Sequence, residues 1–143
     1  MSRVEQALSC FKNYSCSQSI LSTFGPQFGL SRDLALKLAS GYGGGVARLG
    51  GVCGAVNGAI MVLGLKYGQG EKDTENKKED AYRIIRQFLS EFEEKNGSTL
   101  CKELLRCDIN TSEGIKKAMD EGFFTTICPR LVKDAAVLLE KLL

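Results

Sequence analysis

Ala81-Tyr82-Arg83-Ile84-Ile85-Arg86-Gln87-Phe88-Leu89-Ser90-Glu91-Phe92 places Ala81, Ile84, Ile85, Phe88, Leu89 and Phe92 at i, i+3, i+4, i+7, i+8 and i+11. That spacing is a single stripe on a 3.6-residue helix and does not suit a strand, whose side chains alternate. It predicts a long amphipathic helix from about Thr74 to Lys95, following a polar, charged link at Glu71 to Lys78. Towards the N-terminus the same period recurs. Val4, Ala7, Leu8 and Phe11 mark a first helix, and a second starts near Cys16 behind the caps Asn13 and Ser15. Gly25-Pro26 bends or ends that helix and Gly29 closes it. Ser31 caps a third helix carrying Leu34, Leu36, Leu38 and Ala39. A fourth runs from near Val52 to Gly68.

Towards the C-terminus, Asn96-Gly97 is a C-cap and Ser98 an N-cap for a short helix with Cys101, Leu104 and Leu105. Ser112 caps another around Ile115 to Met119. Pro129 suits the first turn of a last helix reaching Leu143. Alternating runs are few and no linker or repeat interrupts the chain. The expected fold is therefore all-α, a compact multi-helix bundle forming one domain over residues 1–143, with a glycine-rich loop before a buried central helix.

Composition narrows the function. A chain of 143 residues with 43% hydrophobic and 25% charged residues can bury a real core. A net charge of +2 gives no basic field for nucleic acid, and Lys12, Lys102 and Arg106 read as solvated helix faces. Val52 to Leu65 is the most apolar stretch but falls short of the roughly 20 residues that span a bilayer. No membrane insertion is expected, and without a secretory leader the protein is expected to be cytoplasmic. The absence of histidine removes Ser-His-Asp and Cys-His catalysis and imidazole-bound zinc. Sulfur, carboxylates, amides, Lys, Arg and Tyr remain.

Six cysteines are many for a chain held reduced: Cys10, Cys16, Cys53, Cys101, Cys107 and Cys128. Cys16, Cys53, Cys101 and Cys128 fall near predicted helix starts, where free amides and the helix dipole favour a thiolate. Cys10 and Cys107 do not share that placement and read as packing residues. No C-x-x-C or ferredoxin spacing occurs, so a shared site must be assembled by folding. The second unusual feature is Gly41 to Gly58, which holds eight glycines in eighteen residues. It has neither G-x-x-x-x-G-K-[ST] nor G-x-G-x-x-G, so nucleotide binding is disfavoured. Gly54 and Gly58 read as a small-residue face for close helix packing. Gly43, Gly44 and Gly45 read as a turn shaped around Cys53.

Cys16-Ser17-Gln18-Ser19-Ile20-Leu21, Lys37 to Gly45, Cys53-Gly54-Ala55-Val56-Asn57-Gly58, Cys101-Lys102-Glu103-Leu104-Leu105 and Cys128-Pro129-Arg130-Leu131-Val132 together resemble the C_GCAxxG_C_C family of redox-active proteins. The family's four cysteines fall on Cys16, Cys53, Cys101 and Cys128. The resemblance implies a small helical protein that acts through these cysteines, and related domains suggest an iron–sulfur centre. The leading expectation is thus a cysteine-based redox or electron-transfer protein. In its cofactor form the four cysteines hold an iron–sulfur cluster, with Gly43, Gly44, Gly45 and Gly54 supplying amides beside it. In its cofactor-free form the same thiols cycle between dithiol and disulfide. The alternatives are a sulfur-only site for zinc or Cu(I), and a helical interaction protein whose cysteines only pack. The sequence names no redox partner protein and leaves a homodimer open.

Overall fold

A computed structural model describes residues 1–143. Its elements are α1 (Arg3–Cys10), α2 (Cys16–Phe24), a 3-10 turn (Gly25–Phe28), α3 (Arg32–Ala39), α4 (Gly54–Tyr67), α5 (Glu75–Asn96), α6 (Cys101–Leu105), α7 (Ser112–Asp120) and α8 (Phe123–Leu142). The fold is all-α. The one β-type contact is an isolated antiparallel bridge between Val52 and Leu100.

Helix α4 is apolar on most of its faces because α2, α5 and α8 pack against it, and only its last turn, with Leu65 and Lys66, is exposed. Val56, Ala59, Val62 and Leu63 are buried there among Ile20, Leu21 and Phe24 of the N-terminal region and Phe88 and Phe92 of α5. The apolar stretch that fell short of a membrane span is this central helix, and no helix is long and apolar enough to cross a membrane. The long stripe on α5 faces it, while Lys95 of α5 pairs with the buried Asp134 of α8 at 3.1 Å. A second, smaller core joins Cys101, Leu105, Ile109, Ala118 and Cys128 beside α6, α7 and α8.

Local chemistry sets most helix ends as expected. Ser15 and Gln18 form a reciprocal capping box at the start of α2, and the Ser31 hydroxyl accepts the Leu34 N–H at α3. Gly29 and Gly97 close their elements in left-handed conformation. Three starts differ. Leu100, not Ser98, is the N-cap of α6; the Ser98 hydroxyl instead accepts the Leu100 N–H and donates to Glu103. Thr111 rather than Ser112 caps α7, accepting the Gly114 N–H.

The largest difference is α8, which begins at Phe123, so Pro129 lies inside the helix and not in its first turn. The Thr125 and Thr126 hydroxyls both donate to the Gly122 carbonyl and anchor this earlier turn. One backbone bond is lost at Pro129, and burial of Cys128, Leu131 and Val132 outweighs it.

Helices α2 and α4 approach closely because α4 offers glycines to α2. A Cβ on Gly58 would lie 3.0 Å from the Ser17 carbonyl oxygen and 3.0 Å from Ile20 Cβ. Gly64, on the same helix, has open space at its Cβ position. Gly58→Ala is expected to lower stability by about 1–2 kcal/mol, overpacking exceeding the gain in helix propensity. Gly64→Ala should raise it by about 0.5–1 kcal/mol. Urea unfolding at constant m-value checks both, and equal effects of the two substitutions would refute the packing account.

Candidate functional site

The four cysteines at expected helix starts reach one place from four elements. Cys16 is the first residue of α2, held by the Ser15 capping box. That end of α2 is fixed to α3 by two bonds: Ser17 Oγ donates to the Ala39 carbonyl at 2.8 Å, and Gln18 Nε2 to the Leu36 carbonyl at 3.0 Å. Cys53 is the N-cap of α4 and Cys101 the first residue of α6. The bridge between Val52 and Leu100 sets these two side by side. Cys53 N–H donates to Thr99 at 2.8 Å, and Cys101 N–H donates to Gly51 at 2.7 Å. Cys128 comes from the second turn of α8.

All four line a single cavity of about 810 Å³ at the seam between the two cores. Its walls are mostly apolar, with Phe11, Leu105, Ile109 and Phe124 among them. Cys53, Cys101 and Cys128 are only 3%, 8% and 7% exposed. Cys10 and Cys107 lie outside the cavity. Cys10 rests against the Ser22 hydroxyl at 3.5 Å, and Cys107 is half-buried at the edge of the smaller core. The cavity thus holds the four cysteines set apart by their places near helix starts and neither of the other two.

The glycine loop is more contorted than its composition requires. Residues 44 to 48 all have positive φ: Gly44 at 66°, Gly45 at 71°, Val46 at 66°, Ala47 at 49° and Arg48 at 66°. A left-handed turn of L-residues costs about 1–2 kcal/mol per non-glycine residue, and more for a β-branched one. Long-reach bonds hold it: Ala47 N–H to Gly41, Gly50 N–H to Gly44 and Gly51 N–H to Gly45, at 2.9, 3.1 and 2.8 Å.

Of the glycines expected beside the site, Gly43, Gly44 and Gly54 line the cavity and Gly45 does not. Gly45 is packed on the loop's own backbone, where a Cβ would come within 2.4 Å of the Gly51 nitrogen. Gly54 lets α4 begin against α2, its Cβ position lying 3.1 Å from the Ser17 nitrogen and 3.3 Å from Cys16 Cβ. Sequence reasoning missed Arg48, which also lines the cavity; only the loop's left-handed path brings it there.

The protonation pattern corrects the expectation that every helix start lowers its thiol. Burial pushes Cys53 up to about 11, although the Val56 and Ala55 amides oppose it. Burial and the neighbouring Cys53 and Cys128 push Cys101 up to about 12. Cys16 is raised well above its ordinary value, first because it donates to Cys128 and then because it is buried. Cys128, not at a helix end, is the thiol that is lowered, because Cys16 donates to it. Taking sulfur out of water outweighs the helix dipole here, and the pairing with Cys16 makes Cys128 the one thiol of the four that is lowered.

The site defines a class: a helical protein that gathers sulfurs from four elements onto the wall of one recessed cavity. Residues 14–142 match the family described as "Putative redox-active protein (C_GCAxxG_C_C)", and the chain belongs to that family. No curated protein and no solved structure matches it.

At pH 7, brief treatment with iodoacetamide is expected to modify Cys128 ahead of Cys16, Cys53 and Cys101, as read by peptide mass mapping. Earlier labelling of Cys53 or Cys101 would contradict the assignment. Stability carries the opposite sign for the raised thiols. An unfolded thiol ionises near 9, whereas Cys53 and Cys101 ionise at about 11 and about 12 in the fold. Their contribution is therefore complete below pH 9 and falls from pH 9 towards 12. Urea midpoints across that window should fall less steeply in Cys101→Ala than in the wild type.

Proposed function

We propose that the protein is a thiol-based redox protein whose working pair is Cys128 and Cys16. The observation that carries this reading is geometric: Cys16 and Cys128 line the same recessed cavity, and there Cys16 lowers the Cys128 thiol below its ordinary value. A thiolate is the species that attacks sulfur, and a neighbouring thiol completes the exchange. Cys128 attacks one sulfur of a partner disulfide, breaks its S–S bond and forms a mixed disulfide while the other half leaves as a thiolate. Cys16 then displaces the bound half and closes the Cys16–Cys128 disulfide. The two cysteines give up two electrons, and the released sulfurs take up the protons. Cys53 and Cys101, on the two segments joined by the Val52–Leu100 bridge, line the same cavity and stay protonated at neutral pH.

A second reading is favoured by the donor set. Four sulfurs from four elements surround an apolar space of about 810 Å³, with no competing imidazole. A single zinc or Cu(I) ion does not fit the side chains as they stand, since no three of Cys, Asp or Glu gather around one point. An iron–sulfur cluster fills a volume, and Cys16, Cys53, Cys101 and Cys128 would hold it. When bound it would supply one-electron transfer. The Gly43, Gly44 and Gly54 backbone at the wall would set polarity beside the sulfurs, and the apolar lining would keep water away.

Anaerobic purification with iron, sulfide and zinc counts, followed by mild oxidation and disulfide mapping, separates the two. The thiol reading predicts a Cys16–Cys128 disulfide that Cys128→Ser or Cys16→Ser abolishes and that Cys10→Ser and Cys107→Ser leave intact. Stoichiometric iron and sulfide, lost in any of the four cavity variants, would replace it with the second reading.

A further inference from the structure

A cavity of about 810 Å³ is more than two cysteines need for exchange. It falls within the range of small-molecule pockets, roughly 300–1,000 Å³. The sulfurs at its wall are recessed, with Cys128 only 7% exposed, so a disulfide fixed on a folded partner has poor access and a small molecule does not. Arg48 is the one charged side chain on the lining, and no carboxylate joins it. It belongs to no ion pair. Gly43 and Gly44 share the lining, and their backbone N–H groups donate to no protein acceptor. Arg48 also ends the left-handed run, at φ 66°, and backbone strain of about 1–3 kcal/mol per residue persists only where the surroundings impose it. One unpaired cation, two free amides and apolar walls describe a ligand with an apolar body and a single anion.

Resting on the redox reading above, we propose that the cavity binds a small organic disulfide with an apolar body and one anionic group, its anion seated between Arg48 and the Gly43–Gly44 backbone. Cys128 sulfur attacks one substrate sulfur and breaks the S–S bond. The first half leaves as a thiolate and takes the Cys16 proton. Cys16 sulfur then attacks the mixed disulfide at Cys128, and the second half leaves as a thiolate that solvent protonates. The substrate gains two electrons and departs as two thiols, while the protein holds a Cys16–Cys128 disulfide.

The test has two arms on the reduced full-length chain. Binding is read with anilinonaphthalene sulfonate, an apolar ring system with one anion, against the neutral phenylnaphthylamine. Saturable sulfonate binding is expected, weakened about tenfold by Arg48→Asn and kept by Arg48→Lys, since a charge-assisted hydrogen bond is lost only in the first. Asparagine tolerates the left-handed backbone, so the loop survives that change. The neutral probe should be indifferent to both variants. Sulfonate binding insensitive to Arg48→Asn, or equal loss of both probes, overturns the anion seat. Exchange is read with carboxyphenyl phenyl disulfide, which carries one carboxylate, against neutral diphenyl disulfide, and Arg48→Asn should slow only the anionic substrate. Equal slowing of both overturns the proposed substrate class. Retained sulfonate binding with no reaction at any disulfide overturns the redox reading and the disulfide substrate, which keeps the two failures apart.

Discussion

The close approach of α4 to α2 is the constraint on which the sulfur cavity depends. Two glycines on α4 permit it, Gly54 where the helix begins and Gly58 one turn later, since a Cβ on either would come within 3.0–3.3 Å of backbone or Cβ atoms of α2, closer than van der Waals contact. Any larger side chain at Gly54 would separate Cys53 from Cys16. The left-handed loop is the other half of the same constraint. It carries the chain from the end of α3 to the start of α4 in a path that right-handed residues cannot follow, and it ends beside the Val52–Leu100 bridge. That bridge then fixes Cys101 next to Cys53. Three of the four cysteines are thus positioned by backbone geometry, and the fourth by the packing of α8.

Putting thiols into such a place has an electrostatic consequence. Burial favours the neutral form, and nearby sulfurs discourage more than one ionisation, so Cys53 and Cys101 stay protonated. Only the member that receives a hydrogen bond escapes, and that member is Cys128. One lowered thiol beside three raised ones is a different device from four equally activated cysteines. In the exchange proposed above, that asymmetry sets the order, Cys128 attacking first and Cys16 following.

Much of this was legible in the sequence, and for definite reasons. The α5 stripe from Ala81 to Phe92 could only be a helix, and Ser15, Ser31, Gly29 and Gly97 carried their caps with them. The cysteines near helix starts separated Cys16, Cys53 and Cys101 from Cys10 and Cys107 without any knowledge of their contacts. The start of α8 was hidden because Phe123 to Ile127 is rich in aromatic and β-branched residues of modest helix propensity, and Pro129 is a stronger local signal than the packing that overrides it. Cys128 was therefore assigned to a helix start for a reason that does not hold, yet it belongs to the cavity. The left-handed path through Val46, Ala47 and Arg48 left no trace, since those residues seldom adopt it and only the surrounding glycines and hydrogen bonds impose it. Arg48 was missed with it. The order of thiol acidity was misread because the helix dipole is visible in a sequence and the depth of burial is not.

Equilibrating the chain in thiol–disulfide buffers of defined potential, and counting free thiols at each, tests the central claim most directly. The account predicts one two-electron transition, with the Cys16 and Cys128 peptides linked in the oxidised form. An absence of any transition across the range of biological thiols, or a first transition that links Cys10 or Cys107, would contradict it.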